Sequence, residues 1–332
     1  MYGGGRSING QRKSSSACAH SPWQGVIVID KPKGWSSFQV VAYVRQTLSV
    51  KKAGHGGTLD PLATGVLPIY LNEGTKLVPF NMDGEKEYLA TLRLGQETDT
   101  WDAEGKVIAE RPNLVIKQEE VESVLEKFRG RIRQTPPFYS AIKQGGVPVY
   151  RRARSGEKPF LPEREVEIYK LTLRNFSLPN ITLEVTCSRG TYIRALAADI
   201  GRALGCGAHL AELRRIRAGK FTIDQALAIE DFKQLAQDGT ISERIIPLAA
   251  GLDYAGKIVV AQETARKVRQ GRLIYLPDLP EGHLAWWPKG ERVLLFAGPE
   301  KLLAIAETLI DKEGEELPSD RPLLRIQRVF NV

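Results

Sequence analysis

The sequence predicts an α+β protein that carries a small β-rich module at its C-terminal end. Period-two alternation at Tyr88, Ala90, Leu92 and Leu94, with strand-like runs over 166–176 and 180–187, calls for a sheet. Helical faces recur along the same stretch: Val40, Val41, Val44 and Leu48; Val121, Val124, Leu125 and Phe128; Ile193, Leu196, Ala197 and Ile200. From about residue 255 the texture shifts to short strand-like runs between turn residues, the pattern of a small β-barrel. The expected division is a basic tail (1–22), a main domain (23–250) and a second domain (255–332).

Composition narrows the class. With 332 residues, 42% hydrophobic and 26% charged, the chain can bury a sizeable core. No apolar run approaches the ~18 residues of a membrane span, so no membrane partner is expected. Cys18, Cys187 and Cys206 have no paired spacing and make no metal pattern with the four histidines. They read as free thiols in a reducing, cytoplasmic compartment. The net charge of +8 fits a polyanionic partner. Residues 255–332 hold 12 Lys and Arg against 11 Asp and Glu, so the basic excess lies in the first 254 residues.

Taken in order, residues 1–22 are rich in Gly and Ser, contain no acid and carry Arg6, Arg12 and Lys13, as a disordered basic tail does. They lack the apolar stretch of a secretory signal but share the composition of a transit peptide. Gly25-Val26-Ile27-Val28-Ile29 forms a buried strand, and Asp30-Lys31-Pro32-Lys33-Gly34 turns the chain. Ser36 with Gln39 is a capping box for the first helix. Residues 53–69 then pack four glycines, two prolines, His55 and Asp60 into one string. Its glycines permit positive φ and its Asp-Pro favours a turn, so Asp60 sits on a tight loop running into a strand over 66–71. A carboxylate held by backbone, with His55 near it, can serve as nucleophile or acid/base group; Asp-Pro alone is simply a turn.

The alternating strand around Tyr88 follows, then an acidic loop over 98–105. Its carboxylates, Asp99, Asp102 and Glu104, lack EF-hand spacing and read as a loop. Beyond the second helix, Arg129, Arg131, Arg133, Arg151, Arg152 and Arg154 interleave with Phe138, Tyr139 and Tyr150. That mixture suits nucleic acid and is also compatible with an ordinary charged loop. Two strands lead to Ser188-Arg189-Gly190-Thr191-Tyr192-Ile193-Arg194, which opens a helix stopped by Gly205. On composition alone Arg194 would be a surface arginine, Tyr192 a core tyrosine and Lys31 a solvated turn lysine. The C-terminal module contributes a helix over 264–270 ended by Gly271, and strands over 292–296, 302–307 and 323–330.

Three strings together resemble the TruB family of tRNA pseudouridine synthases: Gly57-Thr58-Leu59-Asp60-Pro61 with its flanks, Gln134-Thr135-Pro136-Pro137-Phe138-Tyr139-Ser140-Ala141-Ile142-Lys143, and Gly190-Thr191-Tyr192-Ile193-Arg194. Gly205-Cys206-Gly207-Ala208-His209-Leu210 is also typical. The likeness is strong over 23–250, absent from the tail and only positional beyond, where a PUA-like RNA-binding barrel is implied. Ile216 departs from the usual Thr. The resemblance implies the pseudouridine synthase fold, a mixed, mainly antiparallel sheet flanked by helices. It also implies that Asp60 is the essential group, that Arg194 pairs with it and that Tyr88 stacks on the target base. Tyr192 would pack beneath that base, Leu213 line its pocket, Lys31 lie close by and His55 fill the space vacated in the RNA.

The implied reaction isomerises uridine to pseudouridine in the T-arm loop of tRNA, breaking the N-glycosidic bond and rejoining the base through C5. It needs no cofactor and no metal. The expected partner is the tRNA T-stem-loop, bound by a monomer. A guide-RNA-dependent relative, or an RNA-binding or RNA-folding module without turnover, stays open at this point.

Overall fold

The computed structural model describes residues 23–137, 143–144, 147–149, 161–254, 256–280, 287–310 and 320–331. The basic tail, and Phe138, Tyr139, Tyr150, Arg151, Arg152 and Arg154, lie outside the described residues.

The strands run, in chain order, β1 (Gly25–Lys31), β2 (Ala53–His55), β3 (Thr64–Leu71), β4 (Lys86–Leu94), β5 (Gln96–Thr98), β6 (Val107–Glu110), β7 (Gly130–Gln134), β8 (Lys143–Gln144), β9 (Val147–Pro148), β10 (Arg164–Ser177), β11 (Asn180–Cys187), β12 (Ala208–Ala218) and β13 (Phe221–Thr222). Nine of them make one sheet in the order β1-β3-β12-β4-β11-β10-β7, with β2 on β3 and β13 on β12. Every pairing is antiparallel except β3 with β12, where Thr64 and Gly65 lie beside Arg214 and Arg215. The sheet is therefore mixed and mainly antiparallel, as expected. β5 with β6, and β8 with β9, form separate hairpins.

Strand periodicity builds the cores. Along β4 every second residue is buried, and Tyr88, Ala90, Leu92 and Leu94 face the helices Gln118–Glu126 and Ile193–Ala203. β1 is buried on both faces: Val26 and Val28 enter one core, Ile27 and Ile29 the next. That explains why it reads as a continuous apolar run. The helix Ser37–Thr47 starts at the expected capping box, with Ser36 and Gln39 each bonding the other's backbone. The helix Ile193–Ala203 ends before Gly205, whose φ of +73° favours glycine.

Two elements escaped the sequence reading. The segment after the second helix is edge strand β7, which puts Arg131 and Arg133 on a solvated rim. The string around Leu213 is central strand β12, eleven residues long.

The C-terminal strands β14 (Gly256–Val259), β15 (Arg292–Phe296), β16 (Leu302–Thr308) and β17 (Leu324–Val329) form one sheet in that order. Among the described residues it is open, with no closure into a barrel. The helix Gln262–Arg269 covers one face of it. Its other face shares a core with the main sheet: Leu294, Phe296, Leu302, Ile305 and Phe330 pack with Val26, Tyr70 and Leu77. Glu73 accepts from Asn331 N (2.7 Å) and Lys76 donates to Val329 O (2.9 Å), so the C-terminal segment is clasped to the main sheet.

Candidate active site

Asp60 lies on the connection between β2 and β3, and both sides of that connection are anchored. Leu59, Leu62 and Ala63 are buried in the core under β4, so the loop is pinned by its own apolar residues. Ser37, at the start of the helix Ser37–Thr47, accepts from Leu59 N (2.9 Å) and donates to Leu59 O (3.0 Å). Gly34 N donates to Pro61 O (2.8 Å), and Ala63 N to Asp60 O (3.0 Å). The Asp-Pro turn thus holds the carboxylate in one place, which a loose surface turn would not do.

Lys31 belongs to this scaffold. It is completely buried, and its ammonium donates to the carbonyls of Pro32, Trp35 and Pro61. Burial lowers its pKa to about 8, against the opposing pull of the Asp60 charge. It is neither the solvated turn lysine that composition suggests nor a lining residue of the cavity. It sits behind the Asp60 loop, where no part of it is open to a ligand.

Arg194, on the first turn of the helix Ile193–Ala203, is buried and faces two carboxylates. Its Nε lies 3.0 Å from Asp60 Oδ2, and one terminal nitrogen lies 3.3 Å from Asp102 Oδ2. That terminal nitrogen also donates to Thr100 O (3.3 Å). Asp102 is oriented in turn: its Oδ1 accepts from Thr100 Oγ1 (2.6 Å) and Glu104 N (3.1 Å). Burial pushes the Asp60 carboxyl above its ordinary pKa, Arg194 pulls it back, and Asp102 adds a smaller upward push. The Asp60 side chain is still 41% exposed, so this is the desolvation of a pocket floor with an open mouth.

A cavity of about 340 Å³ opens above this group, at the small end of the usual range for ligand pockets. Asp60, Tyr88, Tyr192, Arg194 and Leu213 all line it. Residues far apart in sequence are brought together because β4 and β12 are neighbours: Leu213 pairs with Ala90 and Arg215 with Tyr88. Tyr192 is held at both ends. Gln134 bonds its backbone N (3.0 Å) and O (3.2 Å), while the Arg164 guanidinium lies 5.3 Å over its ring. His55 stands apart on β2, opposite Ile69, and does not line the cavity. Its Nδ1 is buried with no hydrogen-bond partner among the described residues, and burial lowers its pKa.

The sequence reading missed four residues of this site. Asp102 was read as one acid of an acidic loop. Gln134, Lys86 and Arg215 carried no assignment. Lys86 lines the cavity and donates to Met82 O (2.6 Å) and Gly84 O, with its pKa lowered to about 8 chiefly by burial. No local pattern singles these residues out: Asp102, Gln134 and Arg215 act on segments distant in sequence, and Lys86 bonds nearby carbonyls that only the folded loop turns towards it. Asp99, the neighbouring acid, only closes its own turn by accepting from Lys106 N (2.8 Å).

Comparison with known proteins agrees with this geometry. The model of the TruB family pseudouridylate synthase N-terminal domain matches residues 45–193, and that of the tRNA pseudouridylate synthase B C-terminal domain matches residues 194–253. The chain is 42% identical over 307 residues to tRNA pseudouridine synthase B of Geobacter sulfurreducens, covering 92% of this chain and 99% of that one. To the protein of the same name in Syntrophus aciditrophicus it is 42% identical over 311 residues, covering 92% and 98%. Among solved structures it is similar to a Cbf5-Nop10-Gar1 complex (TM-score 0.70, 26% identity, 92% of this chain and 85% of that one). An archaeal box H/ACA sRNP Nop10-Cbf5 complex is similar as well (TM-score 0.68, 26% identity, 93% and 86%). On the strength of these matches over nearly its whole length, the chain belongs to the TruB family of pseudouridylate synthases.

Proposed function

We propose that the protein isomerises uridine to pseudouridine in the T-arm loop of tRNA, acting as a cytoplasmic monomer on the T-stem-loop. One observation carries this reading. Among the described residues Asp60 is the only carboxylate lining the cavity; it stands 3.0 Å from a buried arginine, and two tyrosines line the same cavity. The reaction exchanges a C–N for a C–C glycosidic bond within one nucleotide, so no external electron or group donor enters the balance.

The residue roles are those the family resemblance implies, and the placement of the residues supports them. Asp60, ionised, is the group that acts on the nucleotide; Arg194 holds it and favours its charged form. Tyr88 stacks on the flipped base, Tyr192 packs beneath it and Leu213 closes its apolar side. Unstacking a uridine costs a few kcal/mol, which this stacking and the phosphate contacts of a basic surface offset. His55 enters the space left in the RNA. Lys31 acts at one remove, by holding the Pro61 end of the Asp60 loop.

Release of the C5 hydrogen of uridine from a bare T-stem-loop transcript tests the proposal. The expected result is stoichiometric release with no guide RNA or second protein. No release by the folded protein would transfer it to the guide-dependent relatives or to RNA binding without turnover.

A further inference from the structure

Arg215 has no part in the reading above, yet among the described residues it is the largest fully buried side chain, with 1% of its surface exposed. Burying a guanidinium is costly unless its donors are satisfied. Among the described residues no carboxylate forms an ion pair with it; its partners are backbone carbonyls. Nε donates to Val66 O (2.7 Å) and a terminal nitrogen donates to Gly57 O (3.1 Å). Gly57 precedes Asp60 and Val66 follows it, so one side chain ties the two limbs of the Asp60 loop together.

Its backbone sits at the crossing of the strands that build the site. Arg215 pairs with Gly65 of β3 on one side and with Tyr88 of β4 on the other. The approach to β3 is close enough that a Cβ on Gly65, whose φ is +101°, would fall 2.2 Å from Arg215 O. Across the other rung Arg215 stands beside Tyr88, and both residues line the cavity.

We propose that Arg215 is a positioning residue of this site: a single buried guanidinium that clamps both limbs of the Asp60 loop and sets its positive charge beside Tyr88. Three charged or titratable groups act on the phenol: Arg215 from β12, Cys187 from β11 and Asp60 from the loop. Of these only Arg215 is cationic.

The proposal rests on the reading of the cavity as a uridine site, but its first test needs no turnover. Difluorotyrosine is placed at position 88, where its more acidic phenol can be titrated by fluorine NMR in the free, full-length protein. Arg215→Gln keeps a donor and loses the charge, so the midpoint should rise by about one pH unit. Arg215→Lys keeps the charge and loses the planar fork, so it should leave the midpoint nearly unchanged. In the otherwise native protein, single-turnover rates on a T-stem-loop transcript should fall about a hundredfold for Arg215→Gln and at least about tenfold for Arg215→Lys.

An unmoved midpoint in folded Arg215→Gln would overturn the placement of its charge beside Tyr88. Wild-type turnover in Arg215→Lys would overturn the positioning role. Thermal unfolding is measured for both, and if Arg215→Gln does not fold, Arg215→Lys decides: a retained midpoint with reduced turnover supports the proposal. If the unmodified protein releases no C5 hydrogen, the uridine reading fails while the titration still tests Arg215.

Discussion

Removing the charge of Arg194 and removing the charge of Asp102 should move the acid limb of the reaction in opposite directions. On the proposed mechanism Asp60 acts in its ionised form, so the single-turnover rate should decline as pH falls through its pKa. Arg194 Nε stands 3.0 Å from the carboxylate and opposes the upward push of burial. A cation at that distance ordinarily lowers an aspartate pKa by one to three units. Because the Asp60 side chain is 41% exposed, solvent screens part of that effect. Arg194→Met should therefore carry the acid limb to higher pH. Asp102 adds a negative charge that raises the Asp60 pKa, so Asp102→Asn should carry the limb to lower pH.

Plateau rates should fall in both variants, because the Asp60–Arg194–Asp102 arrangement loses a member. Arg194→Lys should restore the limb without the plateau, since the ammonium lacks the planar fork. The assay is C5-hydrogen release from a T-stem-loop at saturating enzyme, as a function of pH. Thermal unfolding is followed alongside, since stranding buried Asp102 without its cation typically costs about 3–5 kcal/mol. Shifts of the same sign in the two charge-removing variants, or no shift in either, would refute the electrostatic argument.

Asp60→Asn should abolish turnover while RNA binding persists; retention of more than about a hundredth of the wild-type rate, roughly 2.7 kcal/mol of barrier, would exclude Asp60 as the essential group. The same variant should melt no lower than wild type at neutral pH. The folded-state pKa of Asp60 is raised, so the stability linked to this group is present at low pH and lost as pH rises through that pKa. Any gain from Asp60→Asn should thus shrink on acidification, and melting curves across pH check it. RNA affinity should fall steeply with salt, because the basic excess lies in the first 254 residues; a flat plot of log affinity against log salt would contradict phosphate contact. Gly65→Ala should cost about 2 kcal/mol or more in denaturant unfolding, since φ of +101° and a Cβ 2.2 Å from Arg215 O cannot both be relieved.

The sequence by itself determined the elements whose information is local. The alternation of β4, the apolar run of β1, the capping box at Ser36 and the glycine stop at Gly205 depend on neighbours a few residues away, and each is found where its pattern places it. The family resemblance named Asp60, Tyr88, Tyr192, Arg194 and Leu213, and these five line one cavity.

What the tertiary structure alone decided is which distant segments meet. β12 alternates weakly because Arg214, Arg215 and Arg217 interrupt its apolar positions, yet it is the strand that joins the Asp60 loop to Tyr88. Asp102 looks like any loop acid until the fold sets its carboxylate against Arg194. Lys31 looks like a solvated turn lysine until Pro32, Trp35 and Pro61 close over it and take its three hydrogen bonds. The physical reason is the same in each case. The desolvation of a charge and the identity of its partners are properties of the assembled interior, and no local pattern of residue types encodes them.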